Sequence, residues 1–296
     1  MVDLHCHILN GMDDGAKSVE ESLAMAEMAI ADGITHIVAT PHSSNEYRFD
    51  FSAVQQAAAD LQRAIGDRVK LATGCDFHWS PENLVALKKK SAPFCIHQKN
   101  YLLVEFNEFS IPPAIDNTIY EIQLAGLRLI ITHPERNAIL RSQPDRLEKW
   151  IRTGCYGQVT GGSLIGTFGP LARRNSLAWI ARGLVHFVAS DAHNLTGRPH
   201  KLRAAYDLVQ AEFGREKAQA LFVKNPLAAF EGRPLPQLSI SNPARLRSSS
   251  LQKRIPGAFA CSGKRFRRVI MAACSFVPRR KIPLTPRTGG VRQTTR

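Results

Sequence analysis

Seven apolar runs recur along the first 230 residues, and nearly every one delivers a histidine or an acid close to its C-terminal end. The runs are 2–7, 35–42, 69–78, 101–107, 127–133, 155–160 and 185–191. Helical patterns over 18–31, 113–125, 144–152, 171–181, 201–213 and 216–223 separate most of them and close the series. In the clearest of these, Ser18 and Glu21 form a capping box and Gly33 follows as a stop. Parallel strands need a long crossover between them, which such helices supply, so the expected class is α/β with a parallel β/α barrel.

The polar residues at the strand ends make the pattern chemical. In "VDLHCHIL" the two-residue strand period puts Asp3, His5 and His7 on one face and turns Cys6 away. "ATPH" ends the second run on His42, "TGCDFH" places Asp76 on the third, and "LLVEF" places Glu105 on the fourth. "IITHPER" supplies His133, "VASDAH" supplies Asp191 and His193, and Asp14 follows the first run in "GMDDGAKS". The C-terminal ends of the strands are where parallel β/α barrels build their active sites. Burying this many ionisable groups is costly unless they are paired or bind metal. All the donors are nitrogen or oxygen, which fits Mn²⁺, Fe²⁺, Zn²⁺ or Mg²⁺ and not a soft thiolate site.

The net charge of +14 belongs to one end of the chain. Residues 241–296 hold 14 Lys or Arg and no acid, so the 25 basic residues before them balance 25 acids. Nucleic-acid binding is therefore not expected of the folded part. The expected division is a barrel over 1–238 and a basic tail over 239–296, too poor in apolar residues to offset its ordering entropy and read as disordered. No run reaches the ~20 apolar residues of a membrane span. A polar Asp-x-His-x-His stands where a secretory leader would lie, so the expected location is the cytoplasm. The six cysteines show no metal-binding spacing and read as reduced thiols. Two Cys-x5-Arg matches, Cys261 to Arg267 and Cys274 to Arg280, lack the preceding histidine and the glycines of a phosphate cradle and are set aside.

Taken together, Asp-x-His-x-His with Asp14, "TPH", the acid on the third run, "HPER" and "SDAHN" resemble the PHP (polymerase and histidinol phosphatase) superfamily. "DDGAKSVEES", "THPERN" and "SDAHN" are most similar to its metal-dependent bacterial protein-tyrosine phosphatases of capsule and exopolysaccharide loci. The resemblance covers about residues 1–235. It implies a distorted seven-stranded, TIM-like (β/α)7 barrel with up to three divalent ions, manganese first among them. By motif, His5, His7, Asp76 and Asp191 would hold the first ion, and Asp76, Glu105 and His133 the second. Asp14, His42 and His193 would hold the third. The family usually has Glu where Asp76 stands, so the carboxylate that would bridge is one methylene shorter here.

Arg136 and Arg198 match positions that the family uses for phosphate or for the transition state, although Arg136 has neighbouring Glu135 as a rival ion-pair partner. The implied reaction is phosphotyrosine hydrolysis by a metal-activated hydroxide, on a protein such as a bacterial tyrosine kinase of polysaccharide export. Alternatives are a phosphoesterase acting on a small ester such as histidinol phosphate, an amidohydrolase, and a non-catalytic metal-binding module.

Overall fold

The computed structural model describes residues 1–236. The expectations for 239–296, and both Cys-x5-Arg matches, lie outside the described residues. Nine short strands are present among the described residues: β1 Val2–Cys6, β2 His36–Ala39, β3 His42–Ser43, β4 Lys70–Thr73, β5 Asp76–His78, β6 Tyr101–Glu105, β7 Arg128–Thr132, β8 Tyr156–Thr160 and β9 Phe187–Ala189. Every pairing between them is parallel, with β1-β2-β4 in one sheet and β3-β5-β6-β7-β8-β9 in the other.

The runs 35–42 and 69–78 are each broken, which is why nine strands stand where seven were expected. Pro41 has no N–H for the ladder, so the second run parts there. Its neighbour parts at Gly74, where a Cβ would meet the Val38 side chain at 3.1 Å. Hydrogen bonds carry the pairing across both breaks, from Gly74 N–H to Ala39 O at 2.9 Å and from Asp76 N–H to Pro41 O at 3.2 Å. The chain after β9 returns to β1. Asp191 N–H donates to His5 O and His7 N–H to Ala192 O, both at 2.8 Å, and Cys6 and Ala192 form an isolated parallel bridge.

Between the strands the expected helices form, along with four not foreseen, Phe51–Ile65, Pro81–Lys89, Ala138–Ser142 and Gly161–Ile165. The first is capped by the Asp50 carboxylate, which accepts from Ser52 N–H and Ala53 N–H. It buries Val54, Ala58, Leu61 and Ile65, a spacing of helical period. Helix Val19–Ala31 is capped by Ser18 as expected, but Glu21 accepts from Lys17 N–H, one residue outside the reciprocal capping box. The series ends in Arg215–Gln219, a π turn, and a further helix, Asn225–Phe230.

The strand faces grade from apolar to ionisable along their length. On β6 the two-residue period gives Tyr101, Leu103 and Glu105 one face. The first two join Val38 and Ile130 in a buried apolar cluster, while Glu105 stands half-buried at the strand end. Each fully buried aliphatic side chain contributes about 1.5–3 kcal/mol. That packing offsets the cost of holding polar groups at one rim.

Candidate metal centre

All nine residues expected at the site are connected through side-chain contacts. His5 Nε2 lies 3.5 Å from an oxygen of Asp76 and 3.5 Å from one of Asp191. His7 Nε2 stands 3.5 Å from Asp191 and 3.2 Å from His5 Nε2. His42 is central, its Nδ1 3.3 Å from Asp76 and 3.5 Å from Glu105, its Nε2 3.4 Å from Asp14. His133 Nε2 reaches Glu105 at 3.5 Å, and His193 Nε2 reaches Asp14 at 3.4 Å. Donor atoms of these nine residues fall within 4.8 Å of one another in three groups: His7, Asp14, His42 and His193; His5, His7 and Asp76; and His42, Asp76 and Glu105. These groups overlap more than the three sets implied by the motifs, because His7 and His42 each belong to two.

The backbone supports the cluster at some strain. His133, just past β7, has φ 31°, and Asp191, just past β9, has φ 52°. Both are left-handed positions that non-glycine residues adopt only when their surroundings hold them. Gly15 is required for space. A Cβ there would lie 2.1 Å from the His7 carbonyl oxygen, so the glycine of "DDGA" lets the Asp13–Asp14 loop close over His7.

The donor set fits divalent ions by an observation independent of any motif. Both oxygens of Asp76 are buried without a hydrogen-bond partner, and so is His193 Nε2. An isolated buried carboxylate is costly, and one ringed by bare imidazole nitrogens is suited to a hard or borderline cation. Asp76 is held well below the usual carboxylate range: burial would raise it, but His5 and His42 outweigh burial. The shorter arm of Asp76 still reaches both of those imidazoles.

Three supporting residues escaped the sequence reading. The Asp13 carboxylate lies 2.6 Å from His7 Nδ1 and accepts from His42 N–H and Gly15 N–H. It thereby orients one imidazole from behind, as carboxylates behind metal-bound histidines do. "DDG" offered two adjacent acids, and nothing local shows which faces inward; Asp14 remains 44% exposed while Asp13 is buried. Gln158 on β8, the strand without an ionisable ligand, faces His5 Nδ1 at 3.0 Å. His78 stands 3.8 Å from Glu105. Glu135 is not the partner of Arg136. It accepts from Thr160 N–H and Ser163 Oγ, while Arg136 pairs with Asp191 and lays its guanidinium 4.5 Å from the Phe168 ring centre. Arg198 joins the same Asp191 oxygen at 2.5 Å.

Residues 1–231 match the protein family described as "Capsular polysaccharide synthesis, CpsB/CapC". The chain belongs to the CpsB/CapC family. Tyrosine-protein phosphatase YwqE of Bacillus subtilis is 37% identical over 220 residues, which cover 73% of this chain and 86% of that protein. Tyrosine-protein phosphatase CpsB of Streptococcus pneumoniae is 30% identical over 238 residues, covering 76% of this chain and 96% of the relative. Among solved structures, a chain from the work on YwqE and CpsB as "unique metal-dependent tyrosine phosphatases" superposes with a TM-score of 0.75 at 33% identity. It covers 80% of this chain and 97% of that one. The CpsB/CapC match stops short of the basic segment 241–296.

The histidines of this family member titrate oppositely to one another. Burial alone would keep His7 neutral, but Asp13 and Asp191 override it and push it up to about 9. His42, likewise disfavoured by burial, is pushed up to about 11 by Asp14, Asp76 and Glu105. His133 is lowered well below its ordinary range by burial and by Arg136. Without metal, the raised pair stabilises the fold fully below the ordinary value of 6.5, and that contribution fades as pH rises through about 9 and then about 11. Metal loading has the opposite sign, since the ion competes with those protons. Loading near neutral pH is therefore expected to release protons and to tighten as pH rises. Calorimetric titration of the metal-free protein in buffers of different ionisation enthalpy measures this; a heat independent of buffer would contradict it.

Proposed function

We propose that this chain is a metal-dependent protein-tyrosine phosphatase built on a distorted, closed (β/α)7 barrel that spans residues 1–238. The observation that carries the reading is Asp76, a buried carboxylate with no hydrogen-bond donor at the centre of nine connected ligand residues. The return of β9 to β1 through Cys6 and Ala192 supports closure of the barrel. We assign His5, His7, Asp76 and Asp191 to one ion, Asp76, Glu105 and His133 to a second, and Asp14, His42 and His193 to a third. Manganese is the ion favoured, with iron, zinc or magnesium acceptable to the same nitrogen and oxygen donors.

Divalent ions held there supply Lewis acidity and make water acidic enough to be a nucleophile near neutral pH. The chain's own residues do the rest. Arg136 and Arg198, converging on Asp191, offer fixed cationic donors to the phosphoryl oxygens. Asp13 and Gln158 hold His7 and His5 in orientation. A cleft of about 590 Å³ opens beside Asp14, His42, Tyr47, His78, Glu105 and Asn107. The Tyr47 ring, stacked 5.9 Å from that of His42, gives it an aromatic wall for the ring of phosphotyrosine. No described thiol competes as nucleophile: Cys6, Cys75, Cys95 and Cys155 are buried, and burial raises all four, Cys95 and Cys155 to about 12.

The physiological partner in this reading is a phosphotyrosine protein, a bacterial tyrosine kinase of polysaccharide export being the leading case, in the cytoplasm. No helix among the described residues is long and apolar enough to cross a membrane. The test compares hydrolysis of a phosphotyrosine peptide and of histidinol phosphate across added metals, with the full chain and with a chain ending at residue 240. The peptide is expected to be the better substrate, and both chains are expected to be equally active. Preference for histidinol phosphate would shift the assignment to the small-ester phosphoesterase. An inactive or insoluble short chain would place the basic segment inside the catalytic unit.

A further inference from the structure

Asp3 shares a strand face with His5 and His7, yet its carboxylate meets none of the nine ligand side chains; among those residues it only accepts the His5 backbone N–H, at 3.4 Å. It is fully buried and turned towards Ser190 and His200. One carboxylate oxygen, Oδ1, accepts the backbone N–H of Ser190 at 2.9 Å. The other, Oδ2, accepts the Ser190 hydroxyl and faces Nε2 of His200 at 2.7 Å. The Ser190 hydroxyl in turn accepts from Ala192 N–H at 3.1 Å. Ser190 and His200 bracket the segment that carries Asp191, His193 and Arg198. The tip of that segment is tied to itself, with His193 N–H donating to Arg198 O at 3.0 Å and Arg198 N–H to the Asn194 side chain at 3.0 Å. Its two ends are tied to Asp3.

We propose that Asp3 is a positioning residue that, through Ser190 and His200, fixes this segment against β1. A single strand then sets two things at once: it presents His5 and His7, and it anchors the loop whose Asp191, His193 and Arg198 must meet them. The inference rests on reading the cluster as a metal and phosphate site. The need for an anchor is visible in Asp191, whose left-handed backbone persists only if its neighbours hold it. The carboxylate of Asp3 suits the task, because both of its oxygens accept, whereas an amide keeps one acceptor oxygen. With Asn at this position, one donor group would face the Ser190 hydroxyl and His200. His200 could accept only by moving its proton to Nδ1, which is buried without a partner.

The experiment uses Asp3→Asn, Ser190→Ala, Ser190→Thr and His200→Phe in the full chain, each compared with the parent after loading with Mn²⁺ and desalting. Metal retained per chain, kcat and KM on p-nitrophenyl phosphate, and the unfolding midpoint are measured, with kinetics taken well below that midpoint. Misplacing reacting groups by about 1 Å costs on the order of 10²-fold, so a loosened segment should cost roughly tenfold or more in kcat. We expect that loss in Asp3→Asn, Ser190→Ala and His200→Phe, together with lower retained metal and a smaller change in KM. Ser190→Thr, which keeps the hydroxyl, is expected to recover most of the loss. A parent that holds no metal would overturn the reading of the site itself. A loaded, active parent matched in kcat and metal content by Ser190→Ala and His200→Phe would overturn the anchor, whatever happens to their midpoints. Should Asp3→Asn fail to fold, those two variants decide the matter.

Discussion

Dialysis against excess chelator is expected to abolish phosphatase activity, and added Mn²⁺ to restore it. The magnitude follows from what the ions supply. Polarising a phosphoryl oxygen and acidifying a water are together worth several kcal/mol of barrier, and each ~1.4 kcal/mol is tenfold in rate. A fall of about 10³-fold or more is therefore anticipated. His5→Ala, Glu105→Ala and His133→Ala should each bring a comparable loss, because they remove donors from different parts of one connected cluster. The measurement is an initial rate on phosphotyrosine peptide before chelation, after it, and after readdition of metal, with metal content read alongside. Full activity in chelator would end the assignment of this cluster as a metal centre.

Arg136→Ala is expected to lower turnover by about 10²–10³-fold, the cost of losing one fixed donor where the transition state gathers charge. The geometry explains why this arginine matters more than an ordinary surface one. Its guanidinium is held between the carboxylate of Asp191 and the face of Phe168, so its direction is set before substrate arrives. Asp191 is held well below the usual range despite its burial, by His5, Arg136 and Arg198 among others, and it keeps Arg198 as a counter-charge when Arg136 is removed. The variant should thus fold, and Arg136→Lys should recover only part of the loss, since an ammonium lacks the planar fork. A variant turning over as fast as the parent would remove Arg136 from the machinery, and Arg198 would be tested next.

Local chemistry determined much of this protein. Strand-period alternation and intervening helices declared a parallel α/β fold, and residue type alone declared nitrogen and oxygen donors at the strand ends. His5, His7, His42, Asp76, Glu105, His133, Asp191 and His193 could be named as candidates because each sits near the end of an apolar run, a position readable from neighbours in sequence. Tertiary structure decided what no local signal carries. Of the adjacent pair Asp13 and Asp14, only the folded loop shows that the first lies behind His7 and the second at the rim. Glu135 was the nearest anion to Arg136 along the chain, yet Arg136 turns to Asp191, 55 residues away. Asp3 finds Ser190 at a separation of 187 residues, because the chain just after β9 returns to β1. The reason is common to all three. Periodicity and propensity act over a few residues, whereas the partner of a buried charge is whichever group the packing of distant strands brings within about 3 Å.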